Sequence, residues 1–269
     1  MNELNAHFGF LTEPFSKELP AKSLFMTQQL KSLFQRLDQL LRRPGIALIT
    51  GEVGCGKSTA IRAFAEQIEK KQVDFVYIDD PTIGMRGVFN AIANQLNLSA
   101  RYFKWQLMTG LKAAIEKNCH DYGKTTVVVI DEAQLLKVQN LEELRLFTNF
   151  KIDSHSPMTL ILLAHSDFTN LVRLKSLEAF RQRLVLRAHL NGLTADEAHA
   201  YVKHHLEIAG RTDPLFTDDA ITEIYQQAKG IPRLINTLCY ECLYQIYSEN
   251  KNIVDMPTVE NVLLRYEDL

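Results

Sequence analysis

The sequence predicts an α/β fold: a five-stranded parallel sheet covered by helices on both faces, followed by a small all-helical unit. Three observations predict it. Apolar, β-branched runs alternate with helical segments as far as residue 190. The first of these runs opens into a glycine-rich loop that leads straight into a helix. Beyond residue 190 the strand signals stop and only helical periodicity continues. With 269 residues, 46% of them hydrophobic, the chain can build one large domain, or a medium one and a small one.

The first run is IALITGEVGCGKSTA, residues 46–60. Ile46, Ala47, Leu48 and Ile49 form a short, continuously apolar stretch, the pattern of a strand buried on both faces. Gly51, Gly54 and Gly56 let the chain turn tightly with its amide groups pointing inward. Lys57 and Ser58 complete G-x-x-x-x-G-K-S/T, and a helix can run from Ser58 to Glu69. Backbone donors beside a helix N-terminus cradle phosphate oxygens. The candidate loop is Gly51, Glu52, Val53, Gly54, Cys55, Gly56, Lys57, Ser58 and Thr59. Lys57 is expected to reach the β- and γ-phosphates of ATP, and the Ser58 hydroxyl to ligate Mg²⁺. Strand, loop and helix in that order separate this match from a chance glycine turn.

Upstream, residues 1–25 carry Pro14 and Pro20 and read as an extended arm anchored by Phe8, Phe10 and Phe15. Such an arm packs on the core or covers a nucleotide base. Thr27–Arg43 is an amphipathic helix. Downstream, DFVYID (74–79) is the second strand, with a helix from Pro81 to Leu96 and another from Lys104 to Asn118. Between those helices, ARYFKW interleaves cations with aromatics, a pattern that suits nucleic acid and a helix–helix corner alike.

TTVVVID, from Thr125, is a β-branched apolar run ending in Asp131 and Glu132. An apolar strand ending in Asp-Glu, downstream of a phosphate loop, is the Walker B pattern. Asp131 is expected to hold Mg²⁺ one step removed, through the ion's own ligands, and Glu132 to orient and polarise the attacking water. After a helix at Asn140–Phe150, TLILLA (159–164) forms the fourth strand and ends at His165-Ser166-Asp167. A polar side chain there can touch the γ-phosphate or the water, and Ser166 is the first candidate, His165 the second. A helical segment, Phe168–Arg183, leads to a short fifth strand, Val185–Leu190.

The rest is helical. T-A-D-E at Thr194 is a capping box opening a helix to about Ala209. Further helices start at Thr217, at Leu234 after Gly230-Ile231-Pro232-Arg233, and at Met256 or Pro257. The domain reading is therefore an arm over 1–25, an αβα domain over 26–190 and a helical lid over 191–269. Four cysteines suit a reducing compartment, and Cys239-x-x-Cys242, lying inside a helix, reads as structural thiols. A net charge of −2 neither requires nor excludes nucleic acid. The start MNELNAHFGF lacks a signal-peptide pattern, and no apolar run is long enough to cross a bilayer, so a cytoplasmic location is expected.

GEVGCGKST, VVVIDEAQLL, FRQRL, LTADEAHAYVKHHL and GIPRLIN, in this order, resemble the AAA+ ATPases of the ExeA/GspA-like group, as does the opening FGFLTEPFS. The resemblance covers nearly the whole chain. It implies an AAA+ P-loop fold, ATP and Mg²⁺ as ligands, and a homo-oligomeric ring or filament with ATP between subunits. It also implies roles for three arginines. Arg181 and Arg183 match the arginine finger that enters a neighbour's site. Arg233 matches the lid arginine called sensor 2. One departure is His165-Ser166, where related chains often carry Gly-Gln. Secretion members of the group continue into a membrane span, whereas this sequence ends at Leu269. A stand-alone form is similar to the helper ATPases of transposition (IstB, MuB and TnsC-like). That likeness implies double-stranded DNA and a transposase as partners, with Arg86, Arg101 and Lys104 as candidate DNA contacts. The alternative is an assembly ATPase of an ExeA/GspA-type secretion system.

Overall fold

A computed structural model describes residues 3–68, 72–98, 103–151 and 156–267. It contains two compact units. One comprises residues 28–51 and 57–190; the other comprises 1–27, the short loop 52–56 and 191–269.

The first unit is built on a five-stranded parallel sheet. Its strands are β1 (Ile46–Gly51), β2 (Val73–Ile78), β3 (Thr125–Ile130), β4 (Met158–Ala164) and β5 (Leu184–Leu190), in the spatial order β2-β3-β4-β1-β5. Every residue of β1 and β4 is buried, which is why both read as continuous, mainly apolar runs rather than alternating ones. β5 lies at the edge and alternates: Leu186 and Leu190 are buried, while Val185 is exposed. The register pairs Thr50 with Ala164 and Ile130 with Leu162. Strands β1 and β3 therefore flank β4 and end on the same edge of the sheet. Ligands of open parallel sheets gather at that carboxyl edge.

Helices α2 (Gln28–Arg42), α3 (Lys57–Gln67), α4 (Gly84–Gln95), α5 (Lys104–Tyr122) and α6 (Val138–Phe147) belong to this unit. So do two short helices, α7 (Phe168–Val172) and α8 (Glu178–Gln182). Val88, Phe89 and Ile92 of α4 share a core with Leu107, Leu111 and Ile115 of α5 and with Val128 and Ile130 of β3. Full burial of a side chain such as Phe89 is worth about 1.5–3 kcal/mol. The helical segment expected over 168–183 is broken: a 3-10 turn, Lys175–Leu177, separates α7 from α8. Leu177 and Phe180 are both buried there, so packing, not helix propensity, sets the path.

The second unit carries α1 (Glu3–Phe8), α9 (Ala195–Ile208), α10 (Asp218–Ala228), α11 (Pro232–Ser248) and α12 (Met256–Glu267). Thr194 caps α9 as its sequence announces: its hydroxyl accepts from Glu197 N at 3.2 Å, and Glu197 Oε2 accepts from Thr194 N at 3.0 Å. Thr217 stands at the N-cap of α10 without a side-chain cap; its hydroxyl donates to Val254 O at 3.3 Å. Gly230 has φ +71°, and a Cβ there would lie 2.2 Å from Leu193 O, so only glycine fits. Cys239 and Cys242 are free, buried thiols in the helical core. Burial pushes both up, Cys242 to about 12, which suits packing rather than thiolate chemistry.

The N-terminal arm departs from the extended path. Residues 3–8 form α1, ahead of both prolines, and the chain turns at Gly9 and again at Phe15, which takes φ +60°. Leu4, Phe8, Phe10 and Phe15 are buried in the helical core with Tyr201, Leu206 and Phe216. Leu11 N donates to Ala209 O at 2.7 Å, and Arg211 Nη1 donates to Phe8 O at 2.7 Å. The three aromatic anchors thus fill the core of the helical unit.

Candidate nucleotide site

The glycine loop leaves β1 with Gly54 at φ +86° and Gly56 at φ +95°, a conformation that turns successive amides to one side. Arg233 N donates to Gly54 O at 3.2 Å, and a Cβ on Gly54 would lie 2.7 Å from the Arg233 Cβ. Arg233, at the start of α11, is therefore packed directly on the loop. Pro232 before it fixes the first turn of that helix.

Lys57 opens α3 and donates from Nζ to Gly51 O at 2.9 Å. Ser58, next on that helix, donates from Oγ to Asp131 Oδ2 at 2.6 Å. The pair joins the helix after β1 to the end of β3, as the strand order requires. Asp131 is buried and accepts two further bonds: from the Tyr77 hydroxyl at Oδ2, and from Glu132 N at Oδ1, 2.8 Å away. Burial raises the Tyr77 phenol above its ordinary range, and its bond to Asp131 raises it further. It therefore stays a donor. Three donors converging on one carboxylate hold it fixed.

Glu132 takes φ +51°, a left-handed conformation that a non-glycine residue adopts at a cost of about 1 kcal/mol or more. Its carboxylate accepts from Gln134 Nε2 at 2.5 Å, and the same amide's Oε1 accepts from His165 N at 3.0 Å. The end of β4 and the acid after β3 are thus bridged by one side chain. Ser166 Oγ is enclosed and has no hydrogen-bond partner among the described residues. His165 Nδ1 lies 3.5 Å from Asp167 Oδ2.

The donor set fits a nucleoside triphosphate with magnesium. The loop offers amides and an ammonium for phosphate oxygens. Ser58 Oγ and Asp131 Oδ2 are hard oxygens, the kind Mg²⁺ takes from protein while it draws the rest of its shell from phosphate and water. No cluster of three or more His, Cys, Asp or Glu that could hold a metal occurs among the described residues.

The remaining candidates lie elsewhere in the sheet unit. Arg181 Nη1 donates to Arg173 O at 3.0 Å, and Arg183 Nη1 to Arg145 O at 3.5 Å. Arg86 is exposed on α4. Lys104, at the start of α5, pairs with Glu143 at 2.5 Å. Arg101 lies outside the described residues. Two site residues escape the sequence reading. Tyr77 is an ordinary strand tyrosine until the β2–β3 register sets it beside Asp131. Gln134 carries only its place two residues after Glu132.

A family model described as "AAA domain" matches residues 22–172, more than half of the chain. The general secretion pathway protein A of Aeromonas hydrophila is 31% identical over 253 residues, covering 91% of this chain and 45% of that protein. The chain thus spans less than half the length of that curated relative. Among solved structures, the Aeropyrum pernix ORC2 protein superposes with a TM-score of 0.69 at 16% identity, over 92% of this chain and 70% of that one. Cdc6p from Pyrobaculum aerophilum gives 0.65 at 18%, over 93% and 68%. The Thermotoga maritima RuvB Holliday junction branch migration motor gives 0.56 at 17%, over 88% and 68%. These likenesses establish the AAA+ P-loop fold, with its parallel sheet and helical C-terminal region. Glycine loop, Ser58–Asp131 pair, strand order and family match agree: this chain belongs to the AAA domain family of ATPases.

Proposed function

We propose that the chain is an ATP-hydrolysing switch that assembles into a homo-oligomer, each triphosphate shared by two neighbouring copies. The 2.6 Å bond between Ser58 and Asp131 supports the reading most directly, because it joins the two motifs that magnesium and phosphate need together. In this reading the loop from Gly51 to Thr59 wraps the phosphates and Lys57 leaves Gly51 O for them. Ser58 and Asp131 hold Mg²⁺, which supplies charge neutralisation at the phosphates when bound. Glu132 orients the attacking water. Arg233, packed on the loop at Gly54, senses the nucleotide. Arg181 or Arg183 is the finger offered to the neighbour, and both lie on or beside the short helix α8 next to the edge strand β5.

For the biological role, the 31% identical relative with a secretion name favours the assembly ATPase of an envelope secretion apparatus, working at the cytoplasmic face. No helix among the described residues is long and apolar enough to cross a membrane, so an anchor in this role lies outside them. The DNA-bound helper of transposition, with a transposase as partner, is the second reading. Arg86, exposed on α4, speaks for it, while the engagement of Lys104 by Glu143 speaks against that lysine as a free phosphate contact.

Two variants test the chemistry. Lys57→Ala is expected to abolish nucleotide binding; tight ATP binding by that variant removes the cradle assignment. Glu132→Gln is expected to bind ATP and assemble, yet hydrolyse at least ~10²-fold more slowly. Turnover at the wild-type rate moves the base elsewhere. Negative-stain imaging with a non-hydrolysable ATP analogue, with and without duplex DNA, separates the two roles: DNA-dependent filaments support transposition, and DNA-indifferent assemblies support secretion.

A further inference from the structure

The bridge made by Gln134 goes beyond the motif residues. Glu132 is exposed, and a free glutamate side chain there samples many rotamers. The two ends of the Gln134 amide remove that freedom. A carboxylate can accept only from the NH₂ end, and the His165 N–H can donate only to the carbonyl end. One amide orientation alone satisfies both partners, so the Nε2–Glu132 and Oε1–His165 contacts fix each other. The far partner is a backbone group on the residue after Ala164, the last of β4, and β4 is pinned by pairing to both β1 and β3. The carboxylate is thereby referenced to the sheet itself. The side chain at the same strand end, Ser166, has its hydroxyl enclosed instead.

We propose that Gln134 is the positioning residue that couples the end of β4 to the Glu132 carboxylate. The proposal rests on the reading of Glu132 as the catalytic base. It separates from a merely structural role because Gln134 has two partners that substitution can uncouple. Gln134→Met loses both bonds. Gln134→Glu keeps an acceptor for His165 N–H but presents a like charge to Glu132.

The experiment measures three quantities in both variants: affinity for a non-hydrolysable ATP analogue, kcat for ATP, and hydrogen exchange at the His165 amide. Analogue affinity is expected to stay within about 2-fold of wild type, since uniform binding is untouched. Turnover is expected to fall by about 10²-fold in both, the usual consequence of a misplaced reacting group. Exchange at His165 is expected to speed up in Gln134→Met and to stay protected in Gln134→Glu. A Gln134→Glu variant with wild-type turnover overturns the proposal, since a structural tether is then all that matters. The double variant Glu132→Gln/Gln134→Met is expected to be no slower than Glu132→Gln alone. Multiplicative losses also overturn the proposal, because Gln134 then acts through some other group. If Glu132→Gln by itself hydrolyses ATP normally, the base assignment fails, and that outcome is read separately from the Gln134 arms.

Discussion

Asp131 shows how much one carboxylate can be made to do. Ser58, Tyr77 and the Glu132 amide all donate to it, and the first two share Oδ2. When Ser58 turns toward a metal, Tyr77 still holds the carboxylate in place. Partners one step removed from a metal commonly set its affinity by 10- to 100-fold. Tyr77→Phe is therefore expected to raise the Mg²⁺ concentration needed for analogue binding by about 10-fold, while affinity in EDTA stays as in wild type. A magnesium titration of fluorescent-analogue binding reads both numbers. An unchanged titration would show that the phenol only fills space between β2 and β3.

At the scale of the element, α9 carries the arm through its histidines. His205 is buried, stacked on Phe15 at 5.3 Å between ring centroids and close to Tyr201. His204 Nε2 donates to Ser23 O, 2.9 Å away. Burial, with His204 alongside, lowers the His205 pKa from 6.5 to about 4. The unfolded chain then takes up this proton before the folded one does. Stability from a neutral His205 is intact above about pH 6.5 and is lost as pH falls toward 4, by up to about 3 kcal/mol. Thermal melts across that window should show a steep decline in wild type and a shallower one in His205→Phe; parallel profiles would place the acid sensitivity elsewhere. The same contacts mark where sequence reading reaches its limit. Strands β1, β3 and β4 are legible because burial on both faces leaves no charged residue and, threonine aside, nothing polar in their runs, and the glycine loop because its spacing is local. The helix of residues 3–8 is not, since its burial comes from the helical core, α11 included, far along the chain. Tyr77 and Gln134 stay hidden for the same reason: strand register places one, and a left-handed turn at Glu132 places the other.

For the molecule as a whole, the two units have separate cores, one around the sheet and one around the lid helices, and each is closed within a single copy. The chemistry proposed for it is not. Nothing among the cradle residues supplies a guanidinium from the sheet unit, while Arg181 donates to the carbonyl oxygen of Arg173 and Arg183 to that of Arg145. A neutral acceptor holds a guanidinium more weakly than an anion does, so the Arg181 contact can be exchanged for a phosphate brought by a neighbour. A head-to-tail assembly then gives every copy two roles at two different faces. Such roles can be divided between chains. Lys57→Ala cannot hold nucleotide but still offers its arginines; the double variant Arg181→Ala/Arg183→Ala holds nucleotide but offers none. Each alone is expected to be inactive. Mixed in equal amounts, about a quarter of the interfaces join an intact cradle to an intact finger, and activity should return in that proportion. The measurement is phosphate release against mixing ratio, which should peak near equal parts. A flat, inactive profile from chains shown to co-assemble would mean that the arginines serve the site of their own copy or none at all.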